Sequence, residues 1–485
     1  MPAFLLGVDI GTSAVKVALV DASTGAVVAT RQSPESAEIP LAAPQPGWAE
    51  QDPADWWQHF LLALQGLGEQ VQDVQAVGIA YQMHGLVLVD GDDQVVRPSI
   101  IWCDGRAVAT GAELAKAVGR EECLRHALNT PGNFTVAKAA WVRTNEPDTF
   151  AKARHMMLPG DDLARRLTGL VTTTPSGLSE MAGWSFASGS TFGELMEAAG
   201  TNHLVPEIVP TFGDQGRVTV VASQETGLPA GTPVTYRAGD QPNNALSLGV
   251  FESGEAAATA GTSGVVYVVS DTAKPDPAER VNPFLHVNGK IGTLLCVNGT
   301  GSFYSWIRRT MCADKSFKDL NSVAESAPVG ADDLLALPYG NGAERSLGNR
   351  TPGASFQGLD FARHGLPHIA RAGMEGIVCA LKHGFEAMKE LGCGATSVRA
   401  GQANMFLSPL FAQMFADATQ CEVKLYDTDG AVGAARGAGI GLGLYNEPRD
   451  AFAALTELTS YKPGDSAPYD LIYKRWRGVL EDNLR

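Results

Sequence analysis

A strand, a Gly-Thr-Ser turn and a second strand occur twice, about half a chain apart, and this repeat constrains the fold more than any other feature. Asp9-Ile-Gly-Thr-Ser-Ala-Val-Lys-Val-Ala-Leu-Val recurs as Thr259-Ala-Gly-Thr-Ser-Gly-Val-Val-Tyr-Val-Val-Ser. In each copy one apolar run leads into Gly-Thr-Ser and another follows, the pattern of strand, tight turn and strand. The competing reading is accidental recurrence of small residues, since the chain holds 54 glycines. Duplication would mean two domains built on one plan. The 485 residues suffice for two hydrophobic cores. The boundary is expected between 246 and 247, giving an N-terminal domain of residues 1–246 and a C-terminal domain of residues 247–485.

The segments around the repeat fit an α/β fold. After the first pair of strands, Asp21-Ala-Ser-Thr-Gly reads as a turn and Ala26 to Thr30 as a third strand, an antiparallel meander. A helix then follows, with Asp52 as its cap, Pro53 at its first position and Trp56, Trp57, Phe60, Leu61 and Leu64 as one apolar stripe. Val74 to Ala80 and Leu86 to Val89 read as strands. In the second half, helices are expected near Phe303 to Met311, from Ile369 to Leu391 and from Pro409 to Ala418, with a strand at Ser397 to Ala400. The small-residue run Ala431 to Leu444 reads as a helix packed closely on its neighbours.

Charge excludes several partners. A net charge of -16 repels a phosphodiester backbone and an anionic membrane surface, and no cluster of Lys and Arg overrides it. No apolar stretch approaches the ~18 residues that span a bilayer, and the first residues lack the basic and apolar regions of a signal peptide. The 7 cysteines have no paired short spacing, so free thiols in the cytoplasm are expected rather than disulfides or a zinc site. A homodimer is one assembly open to such a chain.

A Gly-Thr-Ser turn between strands gathers backbone N–H groups and two hydroxyls in a small volume, which suits phosphate oxygens. Asp9 stands at the end of a buried strand, where a carboxylate is costly unless a cation or donors compensate, and a hydrated Mg²⁺ on a nucleotide would do so. An Asp-stabilised turn is the plainer alternative. Other nucleotide and hydrolase signatures fail. There is no Gly-x-x-x-x-Gly-Lys-[Ser/Thr] loop, no Gly-x-Ser-x-Gly elbow and no His-Glu-x-x-His helix. Gly437-Ala-Gly-Ile-Gly-Leu-Gly lacks a preceding strand and reads as helix packing.

The motif Asp9-Ile-Gly-Thr-Ser-x-x-Lys16, with the second Ala-Gly-Thr-Ser-Gly, resembles the FGGY family of carbohydrate kinases, within the actin-like ATPase superfamily. Gly47-Trp-Ala-Glu-Gln-Asp-Pro-Ala-Asp-Trp-Trp, Gln82-Met-His-Gly, Ile101-Trp-Cys-Asp-Gly-Arg, Leu158-Pro-Gly-Asp-Asp-Leu and Gly239-Asp-Gln-Pro-Asn-Asn-Ala are similar to its xylulokinase branch. So are Ala400-Gly-Gln-Ala-Asn-Met-Phe and Asp427-Thr-Asp-Gly-Ala-Val-Gly, so that the likeness covers nearly the whole chain.

The resemblance implies two actin-like ATPase (ribonuclease H-like) domains with a cleft between them, the first binding a sugar and the second ATP. It implies Asp240 as catalytic base on a loop, near the metal with Asp9. A carboxylate of ordinary pKa near ~4 is a weak base toward an alcohol, so its task would be to orient the hydroxyl and accept its proton late. Without the family, Asp240-Gln-Pro-Asn-Asn is simply a turn. The sugar is implied beside Gln82, Met83, His84, Trp102, Asp104, Asp240 and Gln241. Met83 and Trp102 are equally readable as core, and His84 as an interior histidine. ATP is implied at Gly11, Thr12, Ser13 and Lys16, at Gly261, Thr262 and Ser263, and with its adenine at Gly401, Gln402, Ala403 and Asn404. Closure of the domains is expected to expel water from the reaction. Two positions depart from the family: Gln241 stands where many members have Asn, and Ala400-Gly401-Gln402 where Gly-Gly-Gly is usual. The expected reaction is ATP-dependent phosphorylation of D-xylulose. A kinase for ribulose or glycerol, or a chaperone-type ATPase without a sugar, are the alternatives.

Overall fold

A computed structural model describes residues 3–348, 350 and 352–485. The chain forms two compact units: Met1–Gly249 with Phe284–Lys290 and Thr428–Leu455, and Val250–Pro283 with Ile291–Asp427 and Thr456–Arg485.

In the first unit, β1 (Phe4–Ile10), β2 (Val15–Asp21) and β3 (Val27–Ser33) form the expected antiparallel meander. Two further strands, β4 (Val74–Tyr81) and β5 (Val234–Gly239), extend it in parallel beyond β1, so the sheet runs β5-β4-β1-β2-β3. The Pro53–Gln65 helix begins as its sequence requires, with the Asp52 side chain accepting the Ala54 N–H at 2.9 Å and Pro53 in the first turn. It buries Trp56, Phe60, Ala63 and Leu64.

The second unit repeats this plan. β6 (Glu255–Ala260), β7 (Gly264–Ser270), β8 (Asn282–Leu285), β9 (Ile291–Val297), β10 (Ser397–Gly401), β11 (Glu422–Tyr426) and β12 (Glu457–Tyr461) build a seven-stranded sheet in the order β8-β9-β7-β6-β10-β11-β12. The β6-β7-β9 meander is antiparallel, and β10 and β11 run parallel beyond β6. The series β11-β10-β6-β7-β9 therefore matches β5-β4-β1-β2-β3 strand for strand. Both Gly-Thr-Ser turns occupy the same place in the plan, between the first and second strands. Chance recurrence of a tripeptide does not reproduce a five-strand order. The Leu366–Glu390 helix lies buried along this second core, and Trp476 of the Ala467–Asn483 helix donates its indole N–H to the Ala336 carbonyl at 2.9 Å.

The compact units do not follow the expected contiguous halves, because residues 428–455 return to the first unit. Their Gly430–Gly441 helix packs on β1, β4 and β5. Its backbone rests directly on two strand glycines: a Cβ on Gly7 would stand 1.8 Å from the Ala431 carbonyl oxygen, and one on Gly78 2.0 Å from that of Ala434. The small residues of this helix exist for that close approach, as the reading of Ala431 to Leu444 expected. Covered on this face, β1 and β4 are buried almost throughout.

Candidate functional site

In the first unit, the β1–β2 turn is wired to the residues that follow β4. Trp102 donates its indole N–H to Thr12 Oγ1 at 2.9 Å, Thr12 Oγ1 donates to Gln82 Oε1 at 3.3 Å, and Gln82 Nε2 donates to Gln51 Oε1 at 2.9 Å. Gln51 closes the circuit by donating from Nε2 to the Thr12 carbonyl at 2.8 Å and accepting from Trp56 Nε1 at 3.2 Å. Gln82 and Met83 are buried, whereas Trp102 is 45% exposed. His84 has a left-handed backbone, φ 61°. Its ring stacks on Phe134 at 4.4 Å, and its Nδ1 lies 2.8 Å from the Glu180 carbonyl oxygen. A carbonyl only accepts, so Nδ1 carries the proton. Behind it, fully buried Lys138 donates to the His84 carbonyl at 2.7 Å. Burial lowers the Lys138 pKa to about 7, opposed by the nearby Asp104 carboxylate.

Asp104 plays a different part from that of an open sugar ligand. It is fully buried, and its oxygens accept from the Ala49 N–H at 2.6 Å and from Arg106 Nη2 at 2.7 Å. Arg106 in turn lies 3.7 Å over the Trp48 ring and pairs with Glu50 at 2.7 Å. Asp104 thus supports the Trp102 segment from behind.

Asp240 does not sit on a loop. It is the first residue of the Asp240–Ser247 helix, directly after β5, and faces Asp9 of β1. Burial first, then the Asp9 carboxylate, pushes its pKa up to about 7, while Gln241 opposes the shift through backbone and side-chain hydrogen bonds. Its basicity is therefore well above that of the ordinary carboxylate the sequence implied. Burial and Asp429 push Asp9 up to about 6, against the pull of Lys16, its partner across the β1–β2 ladder. Asp429 caps the Gly430–Gly441 helix by accepting the Val432 N–H at 2.9 Å. A Cβ on Gly430 would lie 2.2 Å from Asp9 Oδ2, and the Gly430 carbonyl accepts from Asn243 Nδ2 at 2.8 Å. Strand β5 is anchored by a fully buried Arg237–Asp161 pair at 2.9 Å.

In the second unit, the Gly261-Thr262-Ser263 turn meets two other segments. The N–H groups of Gly301 and Ser302 donate to the carbonyls of Gly261 and Thr262 at 2.8 and 3.2 Å, so the start of the Thr300–Met311 helix is spent on holding this turn. A Cβ on Gly261 would stand 3.3 Å from Asn404 Nδ2, which places the turn against the β10 junction. That junction is the expected strand-to-helix passage: β10 ends at Gly401, Gln402 N–H bonds to the Tyr426 carbonyl at 2.9 Å, and Asn404 has φ 54° before the Pro409–Thr419 helix. The structure thus brings Gly261 to Ser263 and Gly401 to Asn404 together, and separately Gly11 to Ser13, Lys16, Gln82 to His84, Trp102 and Asp240.

Models of the FGGY family of carbohydrate kinases match twice, the N-terminal domain over residues 4–247 and the C-terminal domain over 256–442. The chain belongs to the FGGY family. It is 32% identical over 443 residues to the xylulose kinase of Escherichia coli (strain K12), covering 89% of this chain and 88% of that enzyme. It is 31% identical over 466 residues to the xylulose kinase of Bacillus subtilis (strain 168), covering 91% and 89%. Among solved structures, the xylulose kinase of Rhodospirillum rubrum superposes with a TM-score of 0.89 at 29% identity, over 99% of this chain and 98% of that one. The chain is accordingly an ATP-dependent carbohydrate kinase with the two-domain FGGY fold.

Within this FGGY frame, sequence reasoning missed Gln51, Lys138, Glu180 and Asp429 as parts of the site. Gln51 and Asp429 lie inside motifs that carried the family likeness, and that was the available signal. Lys138 and Glu180 had none, for a charged residue in a helical pattern reads as solvent-facing until its burial is known.

Proposed function

We propose that this FGGY kinase transfers the γ-phosphoryl group of ATP to the terminal primary hydroxyl of D-xylulose, O5, giving D-xylulose 5-phosphate and ADP. The observation that carries the reading is Asp240, set at the head of a helix beside Asp9 with its pKa pushed up to about 7. A base is most effective when its pKa lies near the working pH. In a loose transfer the sugar oxygen needs orientation before it needs deprotonation. Asp240 would orient O5 and take its proton as the O–P bond forms and the bond from phosphorus to the ADP oxygen breaks.

Gln82, Met83, His84, Trp102 and Gln241 would line the sugar. The half-exposed indole of Trp102 offers a surface to C–H groups of the sugar. Gly11 to Ser13 with Lys16, and Gly261 to Ser263, would hold phosphates, and Gly401 to Asn404 would approach the adenine. Mg²⁺ fits the donor set, since Asp9 and Asp240 are buried with raised pKa values, Asp429 adds its charge beside Asp9, and Lys16 offsets only part of this. No group of three His, Cys, Asp or Glu poised to hold a metal occurs among the described residues. That suits a hydrated ion carried by the nucleotide and held by Asp9 and Asp240. Bound there, the ion would neutralise phosphate charge. The cysteines, all free, suit the cytoplasm.

ADP formation measured across D-xylulose, ribulose, glycerol and other polyols tests the reading. D-xylulose should give the highest kcat/KM. A better substrate would overturn the specificity, and ATP hydrolysis indifferent to added sugar would overturn the reaction. Asp240→Asn should bind D-xylulose and lose at least about 100-fold in kcat. A folded variant turning over near the native rate would remove Asp240 from its role.

A further inference from the structure

We propose that Glu180 is a positioning residue for phosphoryl transfer: its side chain holds the peptide that leads into Asp240, while its main chain holds the His84 ring. This rests on the reading of Asp240 as the base. Glu180 ends the short Pro175–Glu180 helix and is fully buried. Its Oε1 accepts the Gly239 N–H at 2.9 Å and lies 3.4 Å from the Tyr81 hydroxyl, a second donor. Gly239 immediately precedes Asp240 and caps the helix that Asp240 begins. Gly239 is the last residue of the β5 ladder, opposite Tyr81 of β4, and its N–H goes to the Glu180 carboxyl. The Glu180 carbonyl meets His84 Nδ1 at 2.8 Å, so one residue joins two segments 59 and 96 positions away in the chain.

A buried carboxyl is an expensive way to fill space. It costs several kcal/mol unless fully hydrogen-bonded, and here Oε2 is buried with no hydrogen-bond partner among the described residues. Selection for folding alone would favour an apolar side chain of that size. The packing around the bond is equally particular: a Cβ on Gly239 would stand 2.4 Å from Glu180 Oε1 and 2.6 Å from Met83 Cγ. The bare glycine lets Glu180, the sugar-side Met83 and the Asp240 peptide close on one point. Displacing Asp240 by ~1 Å would cost roughly 100-fold in rate.

Three variants separate positioning from mere support. Glu180→Gln keeps an oxygen for the Gly239 N–H, Glu180→Asp withdraws it by one methylene, and Glu180→Leu abolishes it. Each is assayed for kcat and for the KM of D-xylulose and ATP, with thermal melting to establish folding. The Gln variant should stay within about 3-fold of native kcat, whereas Asp and Leu should lose about 10- to 100-fold with the KM for ATP unchanged. Should Leu fail to fold, Gln and Asp decide alone. Native kcat in the Asp variant overturns the proposal, and so does a Gln variant as impaired as Asp. Failure of the underlying reading shows separately, as an active Asp240→Asn enzyme or a native enzyme indifferent to sugar.

Discussion

Lys138→Met should make the protein more stable at low pH and a poorer binder of sugar. Lys138 is fully buried, and its pKa falls from an ordinary 10.5 to about 7. A lysine with a depressed folded pKa binds its proton in the unfolded chain first, so the unfolded state is favoured as pH falls from 10.5 toward 7. Below 7 both states are protonated and the whole cost of charge burial is present. Above 10.5 it vanishes. The gap of 3.5 between 10.5 and about 7 corresponds to a cost of about 5 kcal/mol at pH 6. Methionine removes that cost but leaves the His84 carbonyl without its 2.7 Å donor, a loss of about 1–3 kcal/mol. The variant should therefore gain about 2–4 kcal/mol at pH 6, and the advantage should shrink to about zero by pH 9 as the native lysine loses its penalty. Thermal midpoints of both proteins, measured from pH 6 to pH 9, give the result directly. An advantage that stays constant or grows with pH would refute the assignment of a neutral, buried Lys138. Because the lost bond supports the His84 turn, the KM for D-xylulose should rise by about 5-fold.

Two further substitutions probe the carboxylates. Gly430→Ala places a methyl group 2.2 Å from Asp9 Oδ2; overpacking of this kind costs about 1–3 kcal/mol, and kcat should fall more than the thermal midpoint alone would suggest. Unchanged turnover would show that the position of Asp9 is immaterial. Asp240, proposed as the base, must be ionised for that role and its pKa is about 7, so kcat/KM for D-xylulose should fall as pH drops through 7. Asp9→Asn removes a charge that raises this pKa, and although the maximum rate declines, the acid limb should move to lower pH. A limb that holds its position in the Asn variant would mean another group titrates.

The duplicated strand–turn–strand was legible because its signal is local: alternation of apolar runs with Gly, Thr and Ser needs only neighbouring residues. The Asp52 cap, the Pro409 helix start and the small-residue helix at 430–441 were legible for the same reason, each being decided within a turn or two of backbone. Resemblance to the FGGY family added Asp240, a residue whose bare sequence reads as a turn. Its raised pKa was not accessible, since it depends on burial and on β1 and β5 lying two strands apart in one sheet.

By itself, the sequence determined that two similar units exist, where each Gly-Thr-Ser turn falls and which family chemistry the chain supports. Tertiary structure alone decided that residues 428–455 rejoin the first unit, that Asp104 faces Arg106, and that Gln51, Lys138, Glu180 and Asp429 belong with the site. The physical reason is that burial and charge proximity are properties of space. Glu180 and Gly239 are 59 residues apart along the chain and 2.9 Å apart in the fold, and no local pattern encodes the second distance.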